Sequence, residues 1–387
     1  MIKLGIKKLI DSPPAWLNGR RLGLLCNQAS VDENFVHSRR LIEQNFPAQL
    51  TCLFSPQHGF FAEKQDNMIE SNHRLGQDVP IFSLYGQSRR PAADMLDLLD
   101  VLLIDLPDAG TRVYTFMSTM AYCLEEAAIH HKRVVVLDRP NPVGGELIEG
   151  NVLEDDCRSF VGLYDLPMRH GMTLGELALF INSRLPQAAE LTIIPMEGWR
   201  RCFFYPETGL PWVYPSPNLP SFTSALVYPG QVIWEGTNIS EGRGTTLPFE
   251  LWGAPFIRHE RIMAALTADD LPGCLLRPVF FEPTAGKWAA ETCAGFQIHV
   301  INRFEFRPYH VSLALLRAVM MTCGDNFQFK KPPYEYEFER LPLDLILGSK
   351  PLRRGLAAGR LLAELETEWQ PGLNRFKEKR QEFLLYN

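Results

Sequence analysis

Short apolar runs alternate with longer segments of helical periodicity through the first two-thirds of the chain. Six runs have the length and composition of buried strands: "RLGLLCN", "QLTCLFS", "VPIFSLYG", "DVLLIDLPD", "KRVVVLDRP" and "LTIIPM". Between them the sequence predicts helices at residues 116–131 and over "MTLGELALFINSRL", where Thr173 and Glu176 have the spacing of a capping box. This alternation predicts an α/β fold, with a mostly parallel sheet and helices on both faces.

The pattern changes after a Pro- and Ser-rich stretch at residues 209–228, which we interpret as a connection between two domains. Beyond it come a Gly-rich loop, a helical segment near "RHERIMAALTA", two strand-like runs, "CLLRPVFFEP" and "CAGFQIHVIN", and two further helices. We therefore expect a first domain at residues 1–226 and a smaller C-terminal α+β domain at residues 227–387.

Composition and charge exclude several classes of partner. A net charge of -6 over 387 residues argues against a nucleic acid or an anionic membrane surface, because both attract a basic protein. The chain has no run of about 18 apolar residues that would span a membrane. Its eight cysteines lie singly, without a C-x-x-C pair, and its first residues do not resemble a signal peptide. These features predict a cytoplasmic protein with reduced thiols.

The motifs that hold the common cofactors are missing. "NQASVDEN" follows "LGLLC", so no G-x-G-x-x-G follows the first strand, and the chain has no P-loop, no G-x-S-x-G and no H-E-x-x-H. None of the nine histidines has the spacing of a helical metal pair. We expect neither a metal ion nor a cofactor.

Almost every predicted strand ends in polar side chains. Ligands of open parallel sheets bind beyond the carboxyl ends of the strands, so this uniformity favours a polar cleft there. Turn and capping roles would explain each residue singly, but they do not require so many polar groups. The residues concerned are Asn27, Gln28, Ser55, Gln57, His58, Tyr85, Asp105, Asp108, Arg112, Tyr114, Asp138, Arg139 and Asn141.

The loop "EGTNISEGRGTT" is a second dense cluster of polar groups. It places Glu235, Asn238, Glu241 and Arg243 among glycines, which allow a backbone to approach a ligand closely. The alternative is a charged surface loop in which the acids and the arginine pair with one another. The mixture of small and charged residues favours a binding loop.

Two further segments carry candidate groups. "RHGMTLGE" places Arg169 and His170 just ahead of a predicted helix N-terminus, a position that suits an anion, although a plain capping segment explains it equally well. Glu149 follows "LDRPNPVGGELI" and is either an acid of the site or an exposed loop residue.

Nine segments of this chain, in the same order, resemble the NamZ-type exo-β-N-acetylmuramidases, a glycoside hydrolase family formerly described as a domain of unknown function. They are "GLLCNQASVD", "LFSPQHGF", "PIFSLYG", "VLLIDLPDAGTRVYTFMST", "VVVLDRPNPVGG", "LPMRHGMTLGELA", "TGLPWVYPSPNLP", "ALVYPG" and "EGTNISEGRGTTLPFE". The resemblance covers nearly the whole chain. It implies a Rossmann-like N-terminal domain, a smaller C-terminal domain with the active-site cleft between them, and release of N-acetylmuramic acid from the non-reducing ends of peptidoglycan fragments.

That implied substrate gives the polar residues provisional roles. Glycoside hydrolysis usually needs a carboxylic acid at the leaving oxygen and a second group opposite, which the substrate's own 2-acetamido group can replace. The lactyl carboxylate needs an arginine or a helix N-terminus. The catalytic candidates are Glu149, Glu235, Glu241, Asp105 and His58. The substrate-binding candidates are Asn27, Gln57, Tyr85, Asp108, Arg112, Tyr114, Arg139, Asn141, Arg169, His170, Asn238 and Arg243.

One departure from the family pattern limits these expectations. This chain reads "SPQHG" where the family has "SPEHG", so Gln57 keeps the shape of a glutamate and loses its proton chemistry. The acid role passes to a neighbour such as Glu63 or Glu70, or position 57 only orients substrate, or this branch has another substrate or has lost hydrolysis. Two other functions stay open: a catalytically silent amino-sugar-binding protein, and an enzyme acting on a phosphorylated or carboxylated small molecule.

Overall fold

The computed structural model describes residues 1–64, 68, 79–86 and 88–387. In this part of the chain the strands are β1 (Leu22–Cys26), β2 (Leu50–Ser55), β3 (Ile81–Ser83), β4 (Val101–Asp105), β5 (Arg133–Leu137), β6 (Glu149–Val152), β7 (Pro167–Arg169), β8 (Glu190–Ile194), β9 (Leu251–Ala254), β10 (Cys274–Phe281) and β11 (Cys293–Val300). The α-helices are α1 (Gly5–Asp11), α2 (Ser38–Asn45), α3 (Ala93–Leu96), α4 (Phe116–Ile129), α5 (Leu174–Asn182), α6 (Phe222–Gln231), α7 (His259–Ala264), α8 (Pro308–Cys323), α9 (Pro342–Leu347), α10 (Lys350–Ala357) and α11 (Leu362–Lys379).

A parallel sheet organises the N-terminal part. Its six described strands run in the order β3-β2-β1-β4-β5-β8, and every neighbouring pair is parallel. Successive side chains of a strand alternate between faces, so Leu24 and Leu103 lie in the core under α1 and α2, whereas Leu25 and Ile104 lie in the core under α4 and α5. The predicted parallel sheet with helices on both faces is confirmed.

The predicted start of α5 is also confirmed. The backbone N–H of Glu176 donates to the Thr173 hydroxyl at 3.3 Å, and the Glu176 carboxylate accepts from the backbone N–H of Thr173 at 3.0 Å. The Thr173 hydroxyl also donates to Asp138 at 2.7 Å, which ties the helix to the residue after β5. This capping box therefore fixes α5 against the carboxyl edge of the sheet.

A smaller antiparallel sheet organises the C-terminal part, in the order β10-β11-β9. The ring of Trp252 stacks between those of Trp234 and Phe296, with centroid distances of 4.9 and 5.3 Å, and all three side chains are buried. This confirms the smaller α+β part. Within the described ranges, no helix is both long and apolar enough to cross a lipid bilayer.

Two expectations about this half of the chain were wrong. The stretch at residues 209–228 is not a connection throughout, because Ser221 caps α6, and the backbone N–H of Ser224 donates to its hydroxyl at 3.0 Å. The predicted boundary at residue 226 therefore falls inside a helix, and the division into domains stays a prediction. After β11 the described residues form four helices, α8 to α11, instead of two, because α9 and α10 are too short to show helical periodicity in sequence.

Candidate active site

A narrow cavity of about 30 Å³ lies beyond the carboxyl end of β2. Both halves of the chain line it. From the N-terminal part it receives the turn after β2 and the residues that lead into α4, and from the C-terminal part the loop after α6 and the segment before α9. Its polar lining residues are Gln57, His58, Tyr114, Thr115, Ser216, Tyr228, Glu235, Arg243, Tyr334 and Glu335.

Glu335 is a buried carboxyl in this cavity, with only 4% of its surface exposed. The Gln57 amide donates to one of its oxygens at 2.9 Å, and the Tyr85 hydroxyl donates to the other at 2.8 Å. Arg89 donates to its backbone carbonyl at 2.6 Å, and the Arg89 guanidinium also lies over the ring of Tyr336. Glu335 and Tyr336 have φ values of 50° and 59°, left-handed conformations that are uncommon for residues other than glycine.

The protonation of Glu335 is the main electrostatic feature of the cavity. Burial raises the pKa of this carboxyl to about 7, while hydrogen bonds from Tyr85 and Gln57 and the charge of Arg89 lower it in part. The nearby charge of Glu235 raises the pKa further. At neutral pH a large fraction of the molecules therefore carries Glu335 as a carboxylic acid, which is the form that a general acid needs.

Gln57 positions this acid. Its amide oxygen accepts a hydrogen bond from the Thr115 hydroxyl, which leaves the amide nitrogen pointing at the Tyr85 hydroxyl at 3.2 Å and at Glu335 at 2.9 Å. An amide has a donor end and an acceptor end. Because Thr115 occupies the acceptor end, the amide nitrogen of Gln57 is left to hold the Tyr85 hydroxyl and the Glu335 carboxyl in place. An amide at position 57 is thus suited to holding the carboxyl of Glu335.

A second carboxylate, Glu235, lies in an alternating chain of charges. The Tyr334 hydroxyl donates to Glu235 at 2.7 Å and Arg243 donates to its other oxygen at 2.6 Å. Arg243 also lies 3.3 Å from Glu241, which pairs with Lys287 at 2.7 Å. Burial alone would lower the pKa of Arg243, but Glu235 and Glu241 raise it, so the guanidinium stays charged. This ion-paired chain fixes Glu235 at the wall of the cavity.

A much wider cavity of about 640 Å³ adjoins the narrow one. Glu235 and Arg243 line both cavities, so the two meet at this ion pair. Asn238 and Glu241 line only the wide cavity, together with a segment at residues 328–331. The wide cavity is open to solvent and has room for more than one sugar ring.

The structure brings several of the predicted site residues together at these cavities. Tyr114 is buried, and within the described part of the chain its hydroxyl has no hydrogen-bond partner, so a ligand in the narrow cavity can provide one. Tyr85 lies behind the wall and acts through Gln57 and Glu335. The predicted residues that line the narrow or the wide cavity are Gln57, His58, Tyr114, Glu235, Asn238, Glu241 and Arg243, whereas Asp108 and Arg139 line a separate small cavity. Their roles stay predictions.

A second group of predicted residues lies elsewhere along the carboxyl edge of the sheet. The Asp105 carboxylate is fully buried and accepts from Arg139 at 2.5 and 2.9 Å and from the Ser38 hydroxyl. Asn27 donates to the carbonyl of Pro215 at 2.9 Å, and Asn141 donates to that of Met172 at 2.9 Å. None of these residues, nor Asp108, lines the narrow or the wide cavity. We interpret the group as a scaffold that fixes the loops after the strands.

Four more predicted residues make their contacts in the protein interior and line neither cavity. Glu149 accepts from the backbone N–H of His310 at 2.7 Å, and burial raises the pKa of its carboxyl. Arg169 donates to the carbonyl of Val143, and His170 lies 3.4 Å from Asp108. Arg112 is fully buried and donates to four backbone carbonyls, those of Asn151, Leu166, Ile346 and Leu347, at 2.8–3.1 Å.

Arg112 is expected to contribute to stability and not to substrate affinity. Lysine has one ammonium group and cannot reproduce the guanidinium fork, so Arg112→Lys leaves buried carbonyls without donors and lowers the free energy of unfolding by about 2–4 kcal/mol. Urea unfolding measures this loss. The control is Arg158→Lys, whose side chain is exposed and pairs with Asp155 at 2.7 Å. A raised KM at unchanged stability would contradict the structural role.

The analysis of the sequence missed Glu335 and Tyr334. They lie in "PPYEYEFE", where alternating Tyr and Glu gave no sign of a site, and Glu335 is 278 residues from its partner Gln57. Two neighbours of Gln57 were proposed instead. Glu63 is exposed, and Glu70 lies outside the described residues. Among the residues described, no group of three or more His, Cys, Asp or Glu side chains is placed to hold a metal ion.

The fold and the site together define an α/β protein with an acid-lined cleft of the kind that glycoside hydrolases use. Residues 22–223 match the family model of the exo-β-N-acetylmuramidase NamZ N-terminal domain, and residues 226–386 match that of its C-terminal domain. The chain is 37% identical over 386 residues to the peptidoglycan β-N-acetylmuramidase NamZ of Bacillus subtilis (strain 168), covering 100% of this chain and 91% of that protein. The chain belongs to the NamZ family.

Two crystal structures of DUF1343 family proteins from Bacteroides fragilis NCTC 9343 share the fold. One has a TM-score of 0.90 at 31% identity and the other a TM-score of 0.79 at 26% identity. Each match covers 100% of this chain and 99% of the other. The likeness therefore extends over both parts of the molecule and confirms the fold class.

Proposed function

We propose that the protein is an exo-β-N-acetylmuramidase that releases N-acetylmuramic acid from the non-reducing ends of peptidoglycan fragments. One observation carries the chemistry: a buried carboxyl, Glu335, with a pKa of about 7, faces a polar cavity beside a second carboxylate, Glu235. Full-length relatedness to the Bacillus subtilis peptidoglycan β-N-acetylmuramidase supports the substrate class.

In this proposal Glu335 is the general acid. Its proton passes to the glycosidic oxygen as the bond from that oxygen to C1 of the sugar breaks. Gln57 and Tyr85 hold the carboxyl in place during this step. The resulting carboxylate then takes a proton from the water that attacks C1, which restores the acid for the next turnover.

Glu235 is the second group. Because Tyr334 and Arg243 already donate to both of its oxygens, this carboxylate is a weak nucleophile. It is better suited to accept a hydrogen bond from the 2-acetamido N–H of the substrate. The acetamido oxygen is thereby directed at C1 and forms the bond that replaces the glycosidic one. That bond breaks when the water attacks C1, which restores the acetamido group of the released sugar. Gln57 is compatible with this mechanism because one enzyme acid is sufficient for it.

Hydrolysis of para-nitrophenyl N-acetylmuramide, with the matching N-acetylglucosaminide alongside, tests the function. We expect release from the muramide and little from the glucosaminide. Binding of N-acetylmuramic acid without release would support the silent amino-sugar-binding protein. Competition by phosphate esters and not by amino sugars would support the enzyme of phosphorylated or carboxylated small molecules.

The pH profile should follow the ionisation of Glu335. The carboxyl must be protonated to act, so kcat/KM is expected to fall above about pH 7, by about tenfold for each further pH unit. Steady-state kinetics on the disaccharide of N-acetylmuramic acid and N-acetylglucosamine, whose leaving sugar needs the proton, would measure this limb between pH 5 and pH 10. A profile that is flat up to pH 9 would assign the acid role to another group.

Replacing Gln57 with glutamate should shift the pH above which kcat/KM falls. The new carboxyl would lie within hydrogen-bond distance of Glu335, and two carboxyls so close share one proton. We expect the alkaline limb of the Gln57→Glu variant to shift upward by about one pH unit or more. Gln49→Glu is a control for the change in charge, because Gln49 lies away from both cavities. An unshifted limb would show that position 57 does not act on the acid.

We further propose that the enzyme works in the cytoplasm on imported or recycled wall fragments. All eight cysteines lie in the described part of the chain and are free thiols. Free thiols are typical of proteins from a reducing compartment, which supports this location.

A further inference from the structure

The wide cavity continues from the narrow one. The two meet along Glu235 and Arg243. Trp288, Phe329, Lys330 and Lys331 also line the wide cavity, which is open to solvent. A ligand that contacts Glu235 and Arg243 can therefore extend into the wide cavity.

An exo-acting glycosidase gives this geometry a direction. The sugar to be released has no neighbour on its non-reducing side, so its C1 and the bond to be broken belong beside Glu335 and Glu235. The leaving part of the glycan is attached on the other side of the broken bond. It must lie in the wide cavity, whose volume of about 640 Å³ exceeds that of one sugar ring.

The charges of the wall of the wide cavity do not cancel. Arg243 and Lys287 pair with Glu235 and Glu241 at 2.6 and 2.7 Å, so these two cations balance two anions. The rim of the cavity then adds Lys330 and Lys331, both exposed, and among the described residues no further acid lines it. A local charge of two positive units on a protein of net charge -6 suits an anionic group of the ligand.

The backbone that carries these lysines is fixed in place. The backbone N–H of Asn238 donates to the carbonyl of Gln328 at 3.0 Å, and the N–H of Gln328 donates to the Asn238 side chain at 3.0 Å. The N–H of Lys330 donates to the carbonyl of Gly236 at 2.9 Å. The rim is thus attached to the same loop that carries Glu235, which relates the lysines to the acid site.

Two aromatic side chains provide surfaces for sugar rings in the same cavity. The Trp288 indole N–H donates to the carbonyl of Asn238 at 2.6 Å, which fixes the plane of the indole. The Phe329 ring packs edge-on against Phe327, with centroids 5.3 Å apart. Fixed aromatic rings beside cationic groups suit a carbohydrate that carries carboxylates.

We infer that the wide cavity binds the leaving part of the glycan, and that Lys330 and Lys331 recognise a carboxylate carried by a sugar beyond the scissile bond. The inference rests on the proposed function. It specifies the substrate as a chain longer than a disaccharide, in which the anion is an internal lactyl carboxylate or a carboxylate of the peptide attached to the lactyl group. The disaccharide of N-acetylmuramic acid and N-acetylglucosamine lacks that anion in its leaving sugar.

The double variant Lys330→Gln, Lys331→Gln tests this inference. KM is measured for the disaccharide, for the tetrasaccharide with a free internal lactyl carboxylate, and for the same tetrasaccharide bearing a peptide on that lactyl group. Loss of the two charged contacts should raise KM for the tetrasaccharide by about tenfold and leave the disaccharide within about twofold. The tetrasaccharide whose KM rises more shows whether the carboxylate belongs to the free lactyl group or to the peptide.

The control variant Lys377→Gln, Lys379→Gln removes the same charge from the end of α11 and should change none of the three KM values. An equal rise in KM for disaccharide and tetrasaccharide, or no rise for either tetrasaccharide, would overturn the inference. If the wild type hydrolyses none of the substrates, the proposed function fails, and calorimetric Kd values for the same ligands replace KM. A lysine-dependent preference for the tetrasaccharide in Kd would still support the carboxylate site.

Discussion

Replacing Glu335 with glutamine is expected to lower kcat on the disaccharide by about 10²–10⁴-fold while KM changes little. The substitution keeps the size of the side chain and lets Gln57 donate to the new carbonyl oxygen, so the cavity retains its shape. It removes only the proton that the glycosidic oxygen must receive. The loss should be much smaller on para-nitrophenyl N-acetylmuramide, because nitrophenolate leaves without needing a proton.

The comparison of the two substrates makes this test specific. A merely structural role for Glu335 would reduce both rates alike, whereas an acid role reduces mainly the rate with the sugar leaving group. Residual activity should also lose its fall above about pH 7. Glu339→Gln is the matched control, since Glu339 is exposed and lies four residues further along the same segment. Unchanged turnover of the disaccharide in the Glu335 variant would remove Glu335 from the mechanism.

The second large effect is expected at Glu235. Glu235→Gln should lower kcat by about 10²–10³-fold on both substrates, because the acetamido group loses the carboxylate that directs it at C1. The amide can still accept from Tyr334, and Arg243 remains close to Glu241, so the fold should survive. Steady-state kinetics on the muramide and the disaccharide would measure the loss.

Glu241→Gln is the control for the ion-paired chain. Glu241 lies one step further from the narrow cavity and pairs with Lys287 and Arg243. If the effect at Glu235 depends on its contact with the narrow cavity, kcat of the Glu241→Gln variant should fall by less than about tenfold. Equal losses at both glutamates would instead attribute the effect to the disturbed charge network, and the acetamido role of Glu235 would have to be abandoned.

The conformation of the N-terminal part could be predicted from local sequence because its determinants are local. Buried strands of a parallel sheet are short apolar runs, and Thr173 and Glu176 form a capping box within one helical turn. The short helices α9 and α10 were missed for the same reason, since six or eight residues hold too few turns to show a periodic pattern. Helix α6 was not predicted, because the prolines and serines ahead of Ser221 are typical of a loop.

The candidate site could be predicted only in part. The loop that carries Glu235 and Arg243 was recognisable, because glycines and charges alternate within a few residues. Arg112 and Asp105 have equally suggestive positions after strands, yet the structure uses their side chains to satisfy buried backbone and charged groups. A sequence lists polar residues but not their partners, so it cannot separate a binding arginine from a structural one.

By itself, the sequence determined the sheet, the helices α4 and α5 and the family, because these depend on apolar periodicity and on motifs of adjacent residues. Only the tertiary structure decided which acid faces the cavity. Glu335 acquires its raised pKa from burial, which outweighs the lowering by its hydrogen bonds with Gln57 and Tyr85, residues about 250 or more positions away in the chain. Desolvation belongs to a folded environment and leaves no local pattern, which is why the amide at position 57 became intelligible only beside its partner.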